Sequence, residues 1–183
     1  MSQFQVAVIV GSLRKASINR QLAQAIARMG GDQAQFSIVE IGHLPLYNEE
    51  ADGHETEAVK QFRIAVGIAD AVLFVTPEYN RSIPGSLKNA LDQGSRPYGQ
   101  SVWSGKPAAV IGMSPGALGT ALSQQHLRNV LSYLDMPTLG QPEMFLQMRE
   151  GFFAADGSIG ERSHAYVQKF IDQFVLWIAK NKS

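Results

Sequence analysis

The sequence predicts a doubly wound α/β sandwich: one five-stranded parallel sheet, strand order 2-1-3-4-5, with helices on both faces. Three observations predict it. Short runs rich in valine, isoleucine and alanine alternate with longer segments whose apolar residues recur every three or four positions. The clearest strand runs are nearly continuous in hydrophobicity, as expected where both faces of a sheet are covered. Parallel neighbours also need crossover connections, and the intervening helices supply them.

The first strand is residues 4–10 (FQVAVIV), and it stops at Gly11. From Ser17 onward Ile18, Leu22, Ile26 and Met29 recur at helical spacing, and Gly30 with Gly31 ends that helix. A second strand is expected near residues 36–41, then a long polar loop around 47–53 and a helix over about 55–68. Residues 71–76 read as the third strand. Pro84 suits the first turn of a helix running to about Gly94, because its missing N–H would have no helical partner there. The fourth strand spans 108–112, a helix follows over about 120–134, and the fifth strand lies somewhere within 138–146. After a turn at 156–160, Val167, Phe170, Ile171, Phe174, Val175 and Ile178 form one apolar face of the last helix.

With 183 residues the chain is read as a single domain over 1–183. Hydrophobic residues at 45% against 17% charged can offset chain entropy, which excludes disorder. Lys plus Arg and Asp plus Glu both number 16, so no global field favours nucleic acid or an anionic membrane. The absence of cysteine excludes thiolate nucleophiles, zinc–thiolate sites, iron–sulfur clusters and disulfides together. The four histidines are scattered, with no H-x-x-x-H pair to grip a metal. The apolar run at 4–10 is too short for a membrane span and follows no basic residue, so a soluble cytoplasmic protein is expected.

In such sheets ligands bind beyond the carboxyl ends of the strands, beside the point where strand order reverses. Three loops meet there. Residues 11–19 (GSLRKASIN) offer hydroxyls from Ser12 and Ser17, the Asn19 amide, the Arg14 charge and a helix start. That set suits a phosphate dianion, although Ser17 as a plain helix cap explains part of it equally well. Neither a Walker nor a dinucleotide glycine pattern is present. Residues 76–80 (TPEYN) bring Pro77, Glu78, Tyr79 and Asn80 to the same edge, with Tyr79 offering a flat surface for a planar ring; the alternative is that Tyr79 and Pro77 cover the core and Asn80 turns the chain.

Residues 112–119 (GMSPGALG) permit close backbone approach. They also match the G-x-S-x-G nucleophile elbow at Ser114, with Asp156 and His164 downstream in a chain order that a serine hydrolase allows. Three fixed letters are a weak pattern, and this reading leaves the Arg14 and Tyr79 loops without a role.

Taken together, residues 11–19 and residues 76–92 (TPEYNRSIPGSLKNALD) resemble the phosphate loop and flavin-edge signature of the NADPH-dependent FMN reductases, flavodoxin-like proteins that include quinone and chromate reductases. The element order agrees over roughly residues 4–180. The resemblance implies a flavodoxin-like three-layer fold with FMN bound and NADPH or NADH as hydride donor. It implies that Ser12, Arg14, Ser17 and Asn19 hold the FMN phosphate, with Leu13 and Ile18 beside it. Pro77, Glu78, Tyr79 and Asn80 would line the isoalloxazine, and Ser114 would approach from the third loop without attacking.

The expected activity is ping-pong hydride transfer through FMN to quinones, flavins or other small acceptors, chromate included. No protein residue is then needed as a general base. The rival is a flavodoxin-type electron carrier; such carriers favour acidic docking faces, whereas this chain is neutral overall. Arg81, Arg96 and Lys106 are candidates to meet a 2′-phosphate. The helix over 120–134 carries more apolar residues than a one-sided helix needs, which suits either self-association or a helix lying fully on its own sheet, and the resemblance implies a homodimer or homotetramer.

Overall fold

The computed structural model describes residues 3–182. Strands β1 (Phe4–Val10), β2 (Ala34–Val39), β3 (Ala71–Val75), β4 (Ala108–Ser114) and β5 (Met144–Gln147) form one sheet in the order β2-β1-β3-β4-β5. All four pairings are parallel, as the crossover helices require. Alternation along the strands divides the core. Val6, Val8 and Val10 face α1 (Ile18–Met29) and α5 (Glu161–Asn181), whereas Ala7 and Ile9 face α2 (Glu57–Gly67), α3 (Gly85–Ser95) and α4 (Ala121–Tyr133).

Strands β2, β4 and β5 differ from the sequence expectation, β4 by running on past Gly112 to Ser114. β2 begins at Ala34 because it must pair with β1 from Phe4 onward, and its edge position lets Gln35 and Ser37 face water. Its hydrophobicity therefore alternates, and the small Ala34 gives little signal. β5 is reduced to Met144–Gln147, while Thr138 makes only an isolated bridge to Ala108.

Trp103 is the largest fully buried side chain, set edge-on to Phe62 at 6.0 Å and donating from Nε1 to the Leu91 carbonyl at 2.9 Å. Gly94 accommodates it, since a Cβ there would fall 2.5 Å from the indole. No helix among the described residues is long and apolar enough to cross a membrane. The carboxyl ends of β1, β3 and β4 converge, and their loops build the site.

Candidate active site

The chain leaves β1 at Gly11, whose N–H donates to Val75 O at 2.9 Å and whose carbonyl accepts from the Ser86 hydroxyl at 3.1 Å. A side chain at Gly11 would press on Pro77 Cδ at 3.1 Å, so glycine lets the first and second loops lie together. Ser12 is buried; Leu13 is exposed and packs on Gly42; Arg14 and Lys15 stand in solvent. Ser17 caps α1, its Oγ accepting from Arg20 N–H at 3.2 Å, while its own hydroxyl proton stays available.

The first four N–H groups of a helix have no intrahelical acceptor. Here Arg20 N–H is taken by Ser17 Oγ, and the first intrahelical bond runs from Gln21 N–H to Ser17 O, so the N–H groups of Ile18 and Asn19 have no acceptor among the described residues. Two hydroxyls, two N–H groups, the positive end of α1 and the exposed Arg14 guanidinium fit a phosphate monoester. Arg20 itself turns away to pair with Glu40, and this hydrogen bond holds the Glu40 carboxyl below its usual range. The Asn19 carboxamide also turns inward, bonding to Met113, so only its backbone N–H remains for an anion.

β3 ends at Val75, and Thr76 is fully buried, its hydroxyl 3.2 Å from that of Ser123. Glu78 does not extend into the open edge. Its Oε2 accepts from the N–H groups of Leu122 and Ser123 at 3.1 and 3.3 Å, and its Oε1 pairs with Arg81 at 3.0 Å. The helix it caps has no cap of its own, because Thr120 sits at φ 73° without a capping bond. Any contact from Glu78 to a ring therefore comes through its backbone.

Tyr79 and Ser82 exchange two backbone bonds of 3.0 Å across a two-residue turn, Asn80 at φ 51° and Arg81 at φ 63°. Two successive positive φ angles define the type I′ turn, for which asparagine is apt and arginine is strained. Asn80 thus turns the chain, and the Tyr79 ring stands 45% exposed at the edge, open to stacking. His126 supports the turn, its Nδ1 lying 3.0 Å from Ser82 Oγ.

Ser114 is the last residue of β4, and its hydroxyl donates to Gly116 O at 3.1 Å. The Asp156 carboxylate is bonded to Ser158 at 2.9 and 2.6 Å. Among the described residues no hydrogen bond links Ser114, His164 and Asp156, so the hydrolase constellation is not assembled.

The loop after β2 is fastened to α3. Asn89 and Gln93, one turn apart on α3, both donate to Pro45 O, and Tyr47 N–H donates to Asn89 Oδ1 at 2.8 Å. Of the three cations named above, Lys106 donates to the Gly67 and Ala69 carbonyls, and Arg96 lies over the Tyr47 ring at 5.7 Å. Only Arg81 stands beside the site. No cluster of three metal-ligating side chains occurs among the described residues.

A model of the NADPH-dependent FMN reductase family matches residues 4–151, which contain all of these loops. The chain belongs to that family. As an NADPH-dependent FMN reductase family member it is a flavoenzyme, with FMN as cofactor and NAD(P)H as electron donor. A 2-hydroxy-1,4-benzoquinone reductase from a Burkholderia species is 49% identical over 175 residues, covering 95% of this chain and 96% of that protein. A quinone reductase of Pseudomonas putida is 48% identical over 185 residues, the whole of both chains. The solved flavoenzyme NAD(P)H:(acceptor) oxidoreductase from Paracoccus denitrificans superposes with a TM-score of 0.95 at 44% identity, covering 98% of this chain and all of its own. A WrbA-like flavodoxin from Agrobacterium tumefaciens, 16% identical with a TM-score of 0.62, shares the fold.

Proposed function

We propose that the chain reduces small quinones with NAD(P)H by a ping-pong cycle, with FMN held across the ends of β1, β3 and β4. The observation carrying this reading is the donor set at the start of α1: the Ser12 and Ser17 hydroxyls, the Ile18 and Asn19 N–H groups and Arg14. These receive the phosphate. The segment 77–80 forms the ring edge, Tyr79 by its exposed face and Glu78 and Asn80 by backbone N–H groups that have no acceptor among the described residues. The Ser114 loop borders the same opening. When bound, FMN supplies the redox chemistry, taking hydride from the nicotinamide and passing electrons to the acceptor.

The protein orients and encloses; it provides no proton-transferring side chain. One opening used by donor and acceptor in turn gives the ping-pong pattern. Such an opening is chemically permissive, so flavins and chromate join quinones as proposed acceptors, and Arg81 is the proposed contact for a 2′-phosphate.

A second copy is proposed over the groove of about 750 Å³ between α3 and α4, where Tyr98 and Tyr133 are about nine-tenths exposed. The chain's own sheet already buries Leu127 and Leu131, so the apolar excess of α4 is only partly left for a partner. Light scattering of the eluting protein reads the oligomer directly.

The deciding experiment is steady-state kinetics of the yellow protein with NADPH and benzoquinone and no added redox partner. Parallel lines in reciprocal plots support the reading; intersecting lines, or no turnover without a protein partner, refute it.

A further inference from the structure

The carboxyl end of β4 is held by a side chain from a helix 94 residues away in sequence. In a parallel strand the N–H and C=O of one residue point to the same neighbour, and successive residues alternate between the two neighbours. Ile111 faces β3, its carbonyl accepting from Thr76 N–H at 3.0 Å; Ser114 faces β5, its carbonyl accepting from Met148 N–H at 2.8 Å. Met113 therefore faces the β3 side again. By then β3 has ended at Val75, and the N–H of Glu78, the donor two residues on from Thr76, makes no bond to Met113 O.

Asn19 takes that place. Its Nδ2 donates to Met113 O and its Oδ1 accepts from Met113 N–H, both at 2.9 Å, at a position 2% exposed. A carboxamide carries the same donor and acceptor as a peptide group, so a side chain adds one rung to the ladder. Met113's neighbours are fixed from other directions. Gly112 is packed so tightly that a Cβ would fall 2.2 Å from Thr76 O, and Ser114 O is held by β5.

Asn19 is the second residue of α1, and Met113 directly precedes the Ser114 loop. We propose that Asn19 is a positioning residue that couples the two ends of the flavin site. It fixes the phosphate-binding start of α1 relative to the loop at the ring end. The inference rests on the FMN reading given above. It gives the Asn19 carboxamide a role distinct from that of a phosphate ligand.

The test compares FMN with riboflavin, which lacks the phosphate, titrated into flavin-stripped wild-type, Asn19→Ala and Ser12→Ala proteins by fluorescence quenching. For Asn19→Ala both flavins are expected to bind more weakly by a similar factor, about tenfold. Ser12→Ala is expected to weaken FMN alone. If Asn19→Ala weakens FMN and leaves riboflavin unchanged, Asn19 is only a phosphate ligand and the proposal is overturned. If both affinities hold while the thermal midpoint falls, Asn19 is only a structural strut, and the proposal is again overturned.

Should the alanine variant fail to fold, Asn19→Asp keeps the acceptor for Met113 N–H and is read with riboflavin alone. Weakened binding supports the coupling, and unchanged binding refutes it. Failure of the underlying reading is separable: wild type would then bind FMN no more tightly than riboflavin, and Ser12→Ala would not alter that ratio.

Discussion

Gly112 lies where the loops after β3 and β4 meet the start of α4, and replacing it with alanine is the sharpest test of how the site is packed. The added Cβ would fall 2.2 Å from Thr76 O and 2.3 Å from Thr120 Oγ1, where ordinary contact begins at 3.4 Å. Both atoms must then retreat by roughly 1 Å, and neither does so easily. Thr76 O belongs to backbone tied by its N–H to Ile111, and Thr120 Oγ1 accepts from the buried Gln124 amide at 3.0 Å. Overpacking a core costs about 1–3 kcal/mol, and two rigid obstacles place this case near ~3 kcal/mol. For a chain of this length that lowers the thermal midpoint by roughly 6–12 °C. Gly116→Ala is the control in the same loop, because its nearest neighbour would be Ser114 Oγ at 3.8 Å. It is expected to stay within about 0.5 kcal/mol of wild type. Circular-dichroism melting of the two variants decides the matter, and a Gly112→Ala protein as stable as Gly116→Ala refutes the reasoning.

Four further outcomes are expected. Glu78→Ala removes both bonds to the start of α4 and lowers stability by about 1–2 kcal/mol in urea titrations, with Glu78→Gln losing less. Trp103→Ala empties the centre of one core layer and costs about 3–5 kcal/mol, while Trp103→Phe chiefly leaves Leu91 O without its donor, for about 1–3 kcal/mol by the same measurement. Burial alone pushes the Asp70 carboxyl up, but bonds from Lys182 and Gln5 N–H hold it below its ordinary value. A depressed native value gives stability that is complete above the ordinary range near 4 and is lost as pH falls through the native value; urea midpoints of Asp70→Asn should therefore decline less steeply than wild type below about pH 5. Saturating FMN, at about 100 times its dissociation constant, should stabilise the protein by about 2.7 kcal/mol in the same titrations, and a matched FMN concentration should stabilise Arg14→Ala less.

The fold was largely legible in the sequence because both periodicities are strong. Residues 6–10 and 71–75 are buried on both faces and read as continuous apolar runs, and α5 shows six buried residues at helical spacing. Where burial is one-sided or the element is short the signal fades, as at Ala34 and in the four residues of β5.

Sequence determined which chemistries meet: the order of elements brings the 11–19, 76–80 and 112–119 loops to one sheet edge, because a doubly wound parallel sheet gathers its strand ends there. What each polar group does was decided only by tertiary structure. Glu78 became the cap of a helix that starts more than 40 residues later, and the Asn19 amide replaced a strand that had ended. A side chain's partner depends on which orphaned N–H or carbonyl lies within about 3 Å, and such neighbours are brought together by packing, not by spacing along the chain.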